Sequence, residues 1–335
     1  MSIRSILRRL FLALLVAAPL VSHAQIFRAY LSVNGNDNNA CTLPAPCRLL
    51  PKAVSVVADG GEVWMLDSAN YNSGLVVITK SVSIIAIPGA VGSLVANGAD
   101  ALAVGGNNTK ISLKNLVFAP IAGSVNGTGV SAVGPMTLSV EGCSFSRLPG
   151  NGISADAGTV LRVRNSTFRD NSGYGIVVQG GSTASIDRSI LDGNDAGVFV
   201  NVYLGATTTR ASITNSTITG NNNGILALGT AAGSATIWAQ GNTIASNTSN
   251  GINPQILLGG GTISVKAVQN TIVGNGGTGI FVIGAGAKAL VSGNTITDNL
   301  RALDNTNGTI EKVVNNVIRD NANADLGSIT TITVQ

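Results

Sequence analysis

Apolar and polar residues alternate along most of this chain, but only in very short runs. Examples are Leu-Ser-Val at 138–140, Leu-Arg-Val at 161–163 and Ala-Ser-Ile at both 184–186 and 211–213. Ile-Ser-Val at 263–265 and Ala-Leu-Val at 289–291 continue the series. A period of two with β-branched residues predicts strands whose alternate side chains face a core. After residue 60 no stretch carries the three-and-four spacing of an amphipathic helix.

The runs recur with a larger period. From the second run on, each precedes a motif in which an apolar residue is followed, three positions on, by asparagine, as in Asn294-Thr-Ile-Thr-Asp-Asn299. Taking the apolar residue as anchor gives Phe118, Phe145, Phe168, Leu191, Ile218, Ile244, Ile272, Ile296 and Ile318. The gaps between them are 27, 23, 23, 27, 26, 28, 24 and 22 residues. Six or seven residues after most anchors comes glycine with an apolar partner: Gly152-Ile153, Gly175-Ile176, Gly197-Val198, Gly224-Ile225, Gly251-Ile252 and Gly279-Ile280. A second strand starts there. A period near 25 with three short strands describes one turn of a parallel β-solenoid, whose turns bury their apolar sides only when stacked. Stacked turns lie ~4.8 Å apart, so equivalent residues form columns. Asn171, Asn194, Asn221, Asn247, Asn275, Asn299 and Asn321 are then expected to form a structural ladder, bonded to backbone groups and to one another.

These units resemble the right-handed parallel β-helix repeats of the pectate-lyase-like superfamily over about residues 60 to 335. The resemblance implies an all-β, right-handed parallel β-helix of about ten coils, three short strands per coil, with a short N-terminal capping helix. The segment 32–66 is similar to the entry segment of secreted bacterial members, in which a turn, a cysteine pair and a short helix cap the first coil. Here these are Gly35-Asn36-Asp37, Cys41 with Cys47, and the amphipathic run Cys47–Ala58. Pro51 marks a start or kink of that helix. Asn36 and Asp37 read as a turn ahead of the disulfide loop rather than as a calcium site. The expected organisation is a signal peptide over 1–24, a cap over 25–60 and the β-helix over 61–335.

Composition adds further constraints. The chain has 335 residues, of which 44% are hydrophobic, 11% charged and 42 glycine, suiting many tight turns around a long core. Arg4, Arg8 and Arg9 precede the apolar run 10–20, and Ser22-His23-Ala24 offers a cleavage site, so the mature protein is expected to begin at Gln25 in an exported, secreted or periplasmic setting. That run is shorter than the ~20 residues a membrane span needs. Removing the segment takes three of 20 basic residues and none of 16 acidic ones, leaving 17 − 16 = +1, and it removes the only histidine. A near-neutral mature chain gives no basis for nucleic-acid binding. In an oxidising compartment Cys41 and Cys47 are expected to form a disulfide, leaving Cys143 as a small core residue.

Relatives on this fold that act on acidic polysaccharides carry reactive groups outside one sheet, on the strand matching the Gly-Ile run. Alternation places Ser154, Asp156, Val177, Gln179, Phe199, Asn201, Leu226, Leu228, Asn253, Gln255, Phe281 and Ile283 on its outer face. One of these is ionisable, so neither a pair of carboxylates for hydrolysis nor a histidine motif is available there. The expected ligand contacts are Asp156, Gln179, Phe199, Asn201, Asn253, Gln255 and Phe281, amides and aromatics suited to sugars; no catalytic residue, metal or cofactor is assigned. Charges gather elsewhere. Glu141, Arg164 and Asp187 stand four residues before their anchors, joined by Arg169, Asp170, Asp192 and Asp195, and read as surface ion pairs. Asp298 and Asp320 stack one coil apart, and Trp238 points outward on another face. The expected function is an exported, non-catalytic scaffold binding glycan or a cell-surface component, with no membrane insertion after signal cleavage. The alternatives are a polysaccharide lyase or glycoside hydrolase with a displaced site between 141 and 195, and a surface adhesin.

Overall fold

A computed structural model describes residues 25–333 apart from 204, 206, 231 and 258–260. The expected signal segment lies outside the described residues. The described residues start with strand β1 (Ile26–Leu31), pass the Cys41–Cys47 disulfide, and form helix α1 (Leu50–Val56) before strand β2 (Val57–Met65). Pro51 sits in the first turn of α1, where its missing N–H leaves no bond unmade. The helix buries Leu50 and Ala53 against the first coil. β1 pairs in parallel with β2, so part of the expected cap is already a rung of the solenoid. Asp37 closes the turn ahead of the disulfide: its Oδ1 accepts from the amides of Arg48 at 2.8 Å and Leu49 at 2.9 Å. Asp67 ties cap to coil, accepting from Ser32 Oγ at 2.7 Å, the Val33 amide at 2.8 Å and the fully buried Tyr71 hydroxyl.

Beyond the cap the chain winds as a β-helix. Among the described residues its strands form parallel sheets of ten, thirteen and eleven strands. One coil shows the plan: Ile153–Asp156 in the ten-stranded sheet, Val160–Arg164 in the thirteen-stranded sheet and Thr167–Arg169 in the eleven-stranded sheet. Pairing is strictly in register, as in Leu138↔Leu161↔Ala184↔Ala211. The anchors stack inside the solenoid. Phe118, Phe145 and Phe168 are parallel, with ring centroids 4.4 and 4.7 Å apart, and the later anchors through Ile296 are fully buried.

The two corners flanking the eleven-stranded sheet have one design. Each places a residue in the left-handed region immediately before a buried polar residue. At one corner Asp170 (φ 55°) precedes Asn171, and at the other Asn165 (φ 49°) precedes Ser166. Short polar side chains and glycine occupy most of the left-handed sites because a Cβ is costly there, with Arg147, Arg188 and Gln269 as exceptions. The buried residue satisfies the backbone groups that the bend removes from the ladder. Asn171 Nδ2 donates to Asn194 Oδ1 at 2.9 Å, and the chain of amide bonds runs through Asn221, Asn247, Asn275 and Asn299 to Asn321 at 2.8 to 3.1 Å.

The opposite corner carries a second ladder that the sequence reading missed. The backbone amides of Cys143, Ser166 and Ser189 donate to the hydroxyls of Ser166, Ser189 and Ser216 at 3.1 to 3.3 Å. The Ser216 amide donates to Asn242, and asparagines Asn242, Asn270, Asn294 and Asn316 bond in sequence at 3.0 to 3.1 Å. Cys143 is therefore more than a core filler. It holds the ladder position of its coil, with its Sγ 3.5 Å from the carbonyls of Leu113 and Glu141.

Candidate functional site

The outer face of the thirteen-stranded sheet is built from the polar halves of the short alternating runs. Three outward columns result. One holds Lys110, Thr137, Val160, Thr183 and Arg210, and in another Lys114, Glu141, Arg164, Asp187 and Thr214 lie on successive rungs. Beside it, Ser83, Ser112, Ser139, Arg162, Ser185 and Ser212 form the central column. Because serines separate the long side chains, the face is hollow there. A depression of about 500 Å³ opens over Ser112, Ser139 and Ser185, walled by Lys114, Glu141, Arg162, Arg164 and Asp187. A second, of about 390 Å³, shares Arg162 and reaches Lys110 and Ser83.

The charges in this groove are unequal. Lys110, Lys114, Arg162 and Arg164 face Glu141 and Asp187. Lys114 Nζ pairs with Glu141 at 3.1 Å, and Arg164 Nε lies 3.7 Å from Asp187. Arg188 reaches the same Asp187 oxygen at 2.9 Å. Among the described residues Lys110 and Arg162 make no ion pair. Asp187 also accepts from Thr214 Oγ1 at 3.0 Å and Asn215 Nδ2 at 3.1 Å. Partial burial pushes its carboxyl up, but the bonds from Asn215, Thr214 and Arg188 outweigh this and hold it below the ordinary carboxylate range. Such a group stays ionised at neutral pH and is a poor proton donor.

The strip expected on the ten-stranded sheet is arranged differently. Asp156, Gln179 and Asn201 do form one outward column. Their polar heads are engaged with each other: Gln179 Nε2 donates to Asp156 at 3.1 Å and Asn201 Nδ2 to Gln179 at 3.4 Å. Tyr203, from the following turn, donates to the same carboxylate at 2.8 Å, and that bond, with burial, holds its phenol above the ordinary value. Phe199 and Asn253, placed outside by alternation, are buried. Tyr174 packs on Phe199 with ring centroids 4.4 Å apart. Gln255 and Phe281 remain half-buried. The strip is thus largely covered and internally bonded.

The remaining charged candidates are paired or scattered. Arg169 pairs with Asp192 at 3.1 Å, and Asp195 accepts from Asn222 at 3.2 Å. Asp170, Asp298 and Asp320 are left-handed corner residues, and Arg319 pairs with Asp320 at 3.5 Å. Among the described residues no three metal-binding side chains gather. None of the described helices is long and apolar enough to cross a membrane. The sequence reading named Glu141, Arg164 and Asp187 but missed Lys110, Lys114 and Arg162. Lys114 stands four residues before Phe118, the spacing that picked out its three partners.

This architecture defines a right-handed parallel β-helix protein. Residues 68–208 match the family model described as the right handed beta helix region. The A-module of mannuronan C-5 epimerase AlgE4 from Azotobacter vinelandii superposes with a TM-score of 0.56 at 17% identity, covering 82% of this chain and 87% of that one. XylC in complex with xylose gives 0.55 at 9% identity over 84% and 69% of the two chains, and pectate lyase Pel9A gives 0.52 at 16% over 90% and 79%. At these identities the likeness is one of fold. No curated protein matches the chain.

Proposed function

We propose that the protein is an exported, non-catalytic β-helix scaffold that binds an anionic polysaccharide in the groove on its thirteen-stranded sheet. The observation that carries this reading is the unbalanced charge of the groove: Lys110 and Arg162 stand without acid partners over a floor of small hydroxyls. A carboxylated glycan supplies the missing anions, and serine hydroxyls bond sugar hydroxyls without filling the space. Two features support binding without turnover. Asp187 is held as an anion by three hydrogen-bond donors, Arg188, Thr214 and Asn215, with Arg164 nearby, and Glu141 is taken up by Lys114. Export is supported by the reading of the first 24 residues and by the disulfide, which suits an oxidising compartment.

The test is gel retardation in polygalacturonate, alginate and a neutral glucan, with unsaturated sugar ends followed by ultraviolet absorbance. The mature protein is expected to be retarded by an acidic polymer and not by the neutral one, and Arg162→Gln with Lys110→Gln to abolish this. The interaction should weaken as salt rises, because screening acts over about 8 Å at physiological ionic strength. Chain cleavage or new unsaturated ends, lost in Asp187→Ala, would replace this reading with the lyase or hydrolase one.

A further inference from the structure

The central column of the groove continues past its walls. From Ser185 the same register passes to Ser212, then to Trp238 and Lys266. Trp238 is the first bulky residue along this line, and it is 38% exposed, unlike the aromatic anchors inside the solenoid. Its indole is held in place: Nε1 donates to Gln240 Oε1 at 2.9 Å, and Lys266 Nζ lies 5.2 Å from the ring centroid. Arg210, on the strand of Ser212, points outward beside this track and makes no ion pair among the described residues.

We infer that Trp238 is an aromatic subsite for a pyranose ring at the far end of the groove, so the ligand is an extended anionic polysaccharide lying parallel to the solenoid axis. This deepens the proposed binding reading and rests on it. The geometry sets the length. Arg162 and Trp238 are three rungs apart, about 14 Å at the rung spacing of a sheet. A sugar in an extended chain advances by roughly one rung, so a disaccharide placed on Arg162 stops short of the indole. A chain of four or more residues reaches both. The serines between them keep the path low. An indole face takes the apolar face of a pyranose, while Arg210 and Lys266 beside it meet the carboxylates. Long chains therefore gain a contact that short ones cannot make, and the gain requires both ends of the track.

The experiment uses the mature protein with Trp64→Phe, which leaves Trp238 as the remaining tryptophan of the chain. Oligogalacturonates and oligomannuronates of two to eight residues are titrated by fluorescence and calorimetry. Octamers are expected to perturb the fluorescence and to bind about tenfold more tightly than dimers. Trp238→Ala is expected to reduce octamer affinity to that of the dimer and leave the dimer unchanged, with Trp238→Phe restoring part of the gain. Octamer binding that Trp238→Ala leaves intact, with unperturbed fluorescence, would overturn the subsite while the groove stands. Absence of binding at every length, with the polymer ignored as well, would overturn the groove and the subsite together.

Discussion

Replacing Asn221 with alanine isolates one rung of the buried ladder. Asn221 is fully buried, and its side chain makes four hydrogen bonds. Its Nδ2 donates to Asn247 Oδ1 and to the Leu191 carbonyl, both at 3.0 Å. Its Oδ1 accepts from the Asn194 amide at 2.9 Å and Asn194 Nδ2 at 3.0 Å. The Asn194 side chain keeps other partners after truncation, but its backbone N–H, at a corner, loses its acceptor. Four bonds at about 1 kcal/mol each, with an orphaned buried donor in place of one, give a cost of about 3–5 kcal/mol. That is a large part of the stability of a typical domain. Urea unfolding followed by far-ultraviolet circular dichroism measures it, with Asn222→Ala as the exposed control from the neighbouring position. Equal, small losses in the two variants, below about 1 kcal/mol, would refute the claim that the amide row holds the coils together.

Acid sensitivity is expected at the cap. Burial raises the Asp67 carboxyl, but hydrogen bonds from Tyr71, Ser32 and Val33 hold it below its ordinary value. Its contribution is therefore present above the unfolded value of about 3.9 and is lost as pH falls through the folded one, so Asp67→Asn should flatten the acid unfolding profile in that window. Cys143→Ser should cost less than about 1 kcal/mol in urea unfolding, because serine fills the equivalent place in the next three coils. The native Cys143 thiol, pushed up to about 12 by burial, should react with a thiol reagent only on unfolding. Replacing Cys41 and Cys47 by serine should cost about 2 kcal/mol for so short a loop and should speed proteolysis within residues 32–50 before the solenoid is cut.

Features that repeat in one dimension were legible in the sequence. The anchors, the first amide ladder and the parallel sheets follow from a period of two inside a period near 25, while the capping helix was expected from the resemblance of the entry segment. The second ladder escaped notice because its role passes from cysteine to serine to asparagine, three residues alike only in offering a small polar group. Alternation failed for Phe199 and Asn253 for a different reason. It tells which side of a strand a residue faces, but not what lies over it, as the Tyr174 ring from another coil lies over Phe199. The groove was half visible. Its acid–base column follows from spacing to the anchors, while its hollowness depends on the neighbouring serines and becomes apparent only once the coils are stacked.

The most direct test is a crystal structure of the protein from Gln25 onward with an acidic hexasaccharide. An intact sugar chain is expected to run along the solenoid axis over Ser139, Arg162 and Ser185, with a carboxylate on Arg162 and a sugar ring on Trp238. Sugar density over Asp156 and Gln179 on the ten-stranded sheet, or a cleaved chain beside Asp187, would contradict this expectation.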